Sequence, residues 1–281
     1  MATTVIDGIE TRYEVVGEGP PLLLFSPGGF DATIEKWRTQ GIYKDIQFLD
    51  QLPSHFTCIL FDRRETGQSG GRVERVTWAN YVAQGTGLLD HLGFEKAHLM
   101  GGCMGCSVAA AVATQRPERV SKMVLFWPVG GARYRMTGHQ RFAEHYAFVH
   151  QNGLEAVVAL AKESSKAFGA DPRGGPWVSV LRRDPEFAAR YVAQDLDRYK
   201  AIIAGMPRTL IDRDTSPGAE PEDLVRLDIP TLIVPGADFS HATSAARYLQ
   251  ECIPGSQYWD VPVKSQDAAS TNARVIDFLQ S

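Results

Sequence analysis

The densest chemistry in the sequence lies in Gly101-Gly102-Cys103-Met104-Gly105. An Ala-rich helical pattern, "CSVAAAVATQRPERV", follows the run "KAHLM" and this turn, so Cys103 is expected at a strand-to-helix corner. The spacing is that of G-x-S-x-G with sulfur where a serine hydroxyl usually stands. A residue lifted clear at such a corner takes a strained backbone conformation, and flanking glycines remove the β-carbons that would collide with neighbouring chain. A thiol there feels the helix dipole and the free amides of the first turn, which lower its pKa from the ordinary ~8.5 and enlarge its thiolate fraction. Cys103 is therefore read as a nucleophile, against the plainer reading of a small buried turn residue. Cys106 makes the same stretch a C-x-x-C, which admits a redox pair; the lack of a second C-x-x-C or a matching His pair argues against zinc.

The elements that must position this thiol are legible as short buried strands alternating with helices. "TTVIDGIETRYEVV" alternates apolar and polar residues around Asp7-Gly8, which reads as a β-hairpin. Leu22 to Phe25 is a buried strand ending at "SPGGFD", and "FTCILFD" is another, ending at "RRETGQSGG". A helix is expected from Trp78 to Leu92, then strands at "KMVLFWP", "IPTLIVPGAD" and "SQYWDVPV", with helices around "ATSAARYLQECI" and "STNARVIDFLQ". Such alternation means an α/β protein with a mostly parallel, doubly wound sheet covered on both faces. Between about Gly130 and Leu227 the pattern turns helical, through "GHQRFAEHYAFVHQNGLEAVVALAKESSKAF" and "PEFAARYVAQDLDRYKAIIAGM". The expected organisation is a core of residues 1–129 and 228–281 with a helical cap inserted at 130–227.

The chain of 281 residues, 44% hydrophobic, can bury one large core. Its 29 basic and 33 acidic residues give no reason to expect nucleic acid or an anionic membrane as partner. A small-molecule substrate is the better expectation, and the cap leaves a homodimer open. No run approaches the ~18 apolar residues of a membrane span, and the start "MATTVIDGIE" lacks the basic and apolar blocks of a signal peptide. Four scattered cysteines read as free thiols in a reducing compartment, hence a cytoplasmic expectation.

Taken in order, these segments resemble the α/β-hydrolase superfamily over nearly the whole chain. Val5 to Phe25 is similar to its N-terminal hairpin and first buried strand; Ser26-Pro27-Gly28 corresponds to the loop that follows. "DRRETGQS", Asp62 to Ser69, is similar to its D-x-R-G-x-G-x-S segment, with Glu65 in place of a glycine. "GGCMGC" corresponds to its elbow, and "PTLIVPGAD" to the strand that delivers the acid. The resemblance implies an oxyanion hole from the amide of Met104 and one from Gly28 or the nearby Gly29, since Pro27 has no N–H. It implies Asp238 as the catalytic acid. It also implies a histidine within or just beyond "VPVKSQDAA", where this sequence has Lys264, Ser265, Gln266 and Asp267 instead.

His241, three residues beyond Asp238, is the candidate for a relocated base or for binding the polar end of a substrate. A cysteine tolerates a weakened base better than a serine because it is already partly thiolate near neutral pH. A weak proton donor favours substrates with good leaving groups, such as thioesters, activated esters or enol-type acyl groups. Phe30, Phe126 and Trp127 are expected to line an apolar pocket beneath the cap, with Arg133 facing an anionic group and His145 reaching down from the cap. The expected function is cofactor-independent hydrolysis of a small, largely apolar acyl substrate, with no metal. The competing readings are a catalytically altered protein that only binds a small ligand, and a lyase or oxygenase-like enzyme on the same scaffold.

Overall fold

The computed structural model describes residues 2–281. Eight strands form one sheet: β1 (Ala2–Ile6), β2 (Ile9–Val16), β3 (Pro21–Phe25), β4 (Thr57–Phe61), β5 (Ala97–Gly102), β6 (Val120–Phe126), β7 (Thr231–Val234) and β8 (Gln257–Tyr258). Their order is β1-β2-β4-β3-β5-β6-β7-β8. β1 and β2 pair antiparallel around Asp7-Gly8, β2 pairs antiparallel with β4, and every later pair is parallel. The central strands are apolar on both faces, with Leu22, Leu23, Leu99, Met100, Val124, Leu125, Leu232 and Ile233 all fully buried. That double burial is why they read as continuous apolar runs rather than alternating ones. Helices Trp78–His91, Met104–Gln115, Thr243–Cys252 and Ala268–Gln280 flank the sheet.

The last strand is shorter than the sequence predicts. Only Gln257–Tyr258 pairs with β7, apart from the Trp259 amide donating to Ile233 O at 2.9 Å. Pro262 has no amide to continue the ladder, and the chain turns off the sheet into the loop that carries Gln266.

Between β6 and β7 lie the helices Ala132–Glu163, Val178–Arg183, Pro185–Val192 and Leu196–Leu210. The first begins six residues before the predicted start and leaves helical geometry at Gly153, whose φ of 77° and ψ of 179° break the backbone into two segments. It ends at Glu163, so "SSKAF" is loop rather than helix. Asp184 and Asp195 start the last two by accepting from the amides of Phe187 and Arg198, which interrupts the run predicted as one helical stretch.

Candidate active site

Cys103 sits between β5 and the helix Met104–Gln115 with φ 55° and ψ −125°, a conformation costly for a residue with a side chain. The glycines around it fit for want of room. A β-carbon on Gly101 would lie 2.4 Å from Gly105 O, one on Gly102 2.7 Å from the Tyr43 ring, and one on Gly105 2.1 Å from Phe25 O. The thiol of Cys106 points the other way and donates to Gly101 O at 3.1 Å and Phe126 O at 3.3 Å. Burial pushes that thiol well above the ordinary value. Cys106 therefore ties the elbow to β6, and all four cysteines are free.

Two amides face the Cys103 sulfur, those of Gly28 and Met104. Gly28 can hold this place only without a side chain: its φ is 116°, and a β-carbon would lie 2.5 Å from Asp31 O. Gly29, the other candidate from the sequence, also has positive φ but stands in open space and lines the cavity beside the thiol.

The loop after β7 brings Asp238 and His241 to the same corner. Asp238 Oδ1 accepts from the amides of Ser240 at 2.8 Å and His241 at 3.0 Å, and from His241 Nδ1 at 2.8 Å. These bonds fix which ring nitrogen is turned away from the carboxylate. The loop is stitched to the segment after β6 by Gly130 N donating to Ser240 O at 3.0 Å and Ala242 N to Gly130 O at 3.4 Å. His241 Nε2 is buried and completes no hydrogen bond; the Cys103 thiol is the group it faces, and the two shift each other's ionisation. Burial alone would push the Cys103 thiol up, but the imidazole and the amides of Gly28 and Met104 outweigh it and hold the thiol below its ordinary range. Burial likewise depresses His241, but the Cys103 sulfur and the Asp238 carboxylate raise it overall. Such opposed shifts favour a thiolate–imidazolium pair.

Gln266 occupies the loop where the family resemblance calls for histidine. It is 4% exposed, accepts from Trp127 Nε1 at 2.7 Å and donates to Pro235 O at 2.9 Å and Val261 O at 3.1 Å. Trp127, itself at φ 55°, lies against the His241 ring with centroids 5.5 Å apart. A β-carbon on Gly236 would come 2.6 Å from His241 Cβ, so the glycine leaves room for the histidine. The glutamine thus holds the tryptophan that backs His241, a role for which its type and position carry no sequence signal.

A cavity of about 330 Å³ opens above the elbow, lined by Gly28, Phe30, Cys103, Met104, Tyr134, Arg141, Phe142 and Phe168 among others. Volume alone does not single it out, since a hollow of about 340 Å³ around Lys96, Thr114 and Arg226 has no cysteine or histidine in its lining. Of the expected pocket residues Phe30 lines the cavity. Phe126 does not: it is fully buried among Tyr43 and Phe48 beneath the elbow. Trp127 also stays outside the lining, held by Gln266. Arg133 is exposed on the outer side of its helix, whereas Tyr134, Gly138, Arg141 and Phe142 turn inward at helical spacing. His145 is fully buried one layer behind the wall, bonded through Nδ1 to Arg173 O at 3.0 Å and through Nε2 to Tyr199 Oη at 2.6 Å. Burial depresses its pKa to about 4, so it is a neutral packing group. The helical period could have identified Tyr134, Arg141 and Phe142; Phe168 comes from a loop and could not be placed by period.

Glu65 replaces a glycine of the resembled segment and nonetheless keeps the left-handed conformation, φ 68°. Its carboxylate accepts from Arg64 Nε at 2.9 Å in a buried pair. The neighbouring Asp62 carboxylate accepts from the amides of Ile34 at 2.9 Å and Gln68 at 2.8 Å, fastening the loop that carries Gly28 to the end of β4. Among the described residues no group of three or more His, Cys, Asp or Glu converges as a metal site, and no helix is long and apolar enough to cross a membrane.

An eight-stranded, mostly parallel sheet with a helical insertion after β6 and a cysteine at the strand-helix elbow defines an α/β-hydrolase architecture. The family model described as alpha/beta hydrolase fold matches residues 21–237, and the chain belongs to that family. Its curated relatives include the 2-hydroxy-6-oxo-6-phenylhexa-2,4-dienoate hydrolase of Comamonas testosteroni, 37% identical over 157 residues, 55% of this chain and 49% of that one. Another is the 2-hydroxy-6-oxo-6-(2'-aminophenyl)hexa-2,4-dienoic acid hydrolase of Metapseudomonas resinovorans, 25% identical over 235 residues, 82% of this chain and 72% of that one. The chain spans about half the length of the Comamonas protein and of a further curated relative. Among solved structures, the enol-lactonase from Burkholderia xenovorans LB400 superposes over 100% of both chains with a TM-score of 0.63 at 18% identity, a likeness of fold.

Proposed function

We propose that this chain is a cofactor-independent acyl hydrolase with Cys103 as nucleophile, acting on a small substrate that carries a good leaving group. The Cys103 thiolate attacks the carbonyl carbon, and the oxygen that becomes negative is held by the amides of Met104 and Gly28. Collapse of the tetrahedral intermediate breaks the bond to the leaving group, which takes a proton from the His241 imidazolium. His241, now neutral and oriented by Asp238, accepts a proton from water as it attacks the thioester. The intermediate collapses to the acid and expels the thiolate, which restores the thiolate–imidazolium pair, so protons and charge balance over the cycle.

The observation that carries this reading is the approach of Asp238, His241 and Cys103 to one corner, with both ionisation shifts favouring the charged pair. The named activities of the two dienoate-hydrolase relatives support hydrolysis as the reaction class. A cavity of about 330 Å³ walled by Phe30, Phe142 and Phe168 suits a short apolar or aromatic acyl chain. Intact-mass spectrometry after mixing with 4-nitrophenyl acetate tests the proposal. A gain of one acetyl group that decays with product release, and that is absent in Cys103→Ala, is expected. An unmodified protein that still binds the ester makes it a ligand-binding member of the family instead.

A further inference from the structure

Arg63 is the second residue of "DRRETGQS", lies two residues past the end of β4, and is 4% exposed. Every other buried arginine has a carboxylate: Arg12 has Asp62 at 3.2 Å and Arg64 has Glu65 at 2.9 Å. Among the described residues Arg63 has none. Its Nε is buried without a hydrogen bond, its Nη2 reaches only the Met104 sulfur at 3.9 Å, and its guanidinium lies 4.8 Å from the centre of the Tyr81 ring. A cation over an aromatic face recovers only part of what burial costs an ion, and an arginine kept from water ordinarily has an anion to meet.

The surroundings say where that anion would sit. Met104, against Arg63, lines the cavity beside the thiol. Arg141 lines the cavity from the cap and forms no ion pair among the described residues, whereas the lining Lys36 is neutralised by Asp31 at 2.6 Å. Arg141 thus opens directly onto the cavity and Arg63 stands one side chain behind it, against Met104, and neither has a counter-ion among the described residues.

We propose that the cavity takes acyl substrates bearing a carboxylate, held by Arg141 on the cap wall and, past the flexible Met104 side chain, by Arg63 behind it, while the carbonyl to be attacked lies at Cys103. The carboxylate selects the substrate. This rests on the hydrolase reading only for its rate measurement; the binding measurement stands without it.

The rate test compares 4-nitrophenyl hemiglutarate with 4-nitrophenyl 5-methylhexanoate, in which an isopropyl group replaces the carboxylate at equal shape. Wild type is expected to favour the hemiglutarate by about 100-fold in kcat/KM, the size of a charge-assisted contact in a sheltered site. The ratio falls towards one in Arg63→Gln, and by at least about 10-fold in Arg141→Gln, which is half-buried and does not depend on core packing. The binding test titrates glutarate into Cys103→Ala, where no chemistry can occur, alone and combined with Arg63→Gln or Arg141→Gln. Saturable binding lost with Arg63→Gln supports the proposal even if neither ester is turned over, a result that removes only the hydrolase reading. Equal rates for the two esters in wild type, or glutarate binding that neither arginine affects, overturns it.

Discussion

Replacing Asp238 by asparagine isolates the charge behind His241. The carboxamide of the Asp238→Asn variant keeps an oxygen to accept from the amides of Ser240 and His241, so the loop keeps its shape and only the negative charge is lost. The carboxylate side chain is 49% exposed while that of His241 is 10% exposed, so their attraction runs partly through solvent. With the charge centres roughly 4 Å apart and an effective dielectric of about 40, Coulomb's law gives about 2 kcal/mol. If that attraction stabilises the imidazolium of the transition state, kcat/KM for 4-nitrophenyl acetate falls about 30-fold, far less than a buried triad aspartate would produce. The sign on pH follows. Asp238 is one of two groups raising His241, so in Asp238→Asn its pKa falls, and the proton donor is lost at lower pH as pH rises. The assay is a pH profile of kcat/KM at about 0.1 and 1 M salt, where screening weakens the exposed interaction in wild type. A variant within about twofold of wild type, with an unmoved alkaline limb, refutes the assignment of Asp238 as orienting acid.

Gly28→Ala, with its β-carbon 2.5 Å from Asp31 O, must displace the loop and one oxyanion donor, lowering kcat about 100-fold or more, whereas Gly29→Ala stands in open space and loses less than about 10-fold; equal losses refute the choice of Gly28. Gln266→Ala leaves Trp127 Nε1 and the carbonyls of Pro235 and Val261 unpaired, expected to cost about 3 kcal/mol and about 5 °C in Tm by calorimetry, together with a lower kcat as the wall behind His241 loosens; an unchanged Tm counts against it. His145 has a folded pKa of about 4 against 6.5 in the unfolded chain, so the unfolded state binds the extra proton and stability is lost as pH falls from about 6.5 towards 4. Thermal melts across that range should show the loss in wild type and a flatter slope in His145→Asn.

Much of the architecture was legible because burial on both faces writes continuous apolar runs into parallel strands. The elbow was legible because only glycine fits the close approaches at positions 101 and 105. Boundaries were less so. Gly153 interrupts a periodic helix, and Asp195 starts a new one inside a stretch whose apolar spacing carries straight on. In the cap, Arg133 lies outside the helical period of Tyr134, Gly138, Arg141 and Phe142, so the arginine that faces the cavity is legible only once the helix is known to begin at Ala132, six residues before the sequence pattern places it. His241 was a candidate by proximity to Asp238 in sequence, but the cross-link from Gly130 that brings its loop to the elbow joins residues about a hundred positions apart.

By itself the sequence determined the strand order's raw material, the sulfur at the strand-helix corner and the lack of a histidine after the last strand, because each depends on residue type and spacing along a few turns of chain. Only the tertiary structure decided that Gln266 braces Trp127 against His241, that Phe126 lies beneath the elbow rather than in the cavity, and that Arg63 is buried without a carboxylate. Those are relations between segments distant in the chain, set by which faces the packed core turns towards one another.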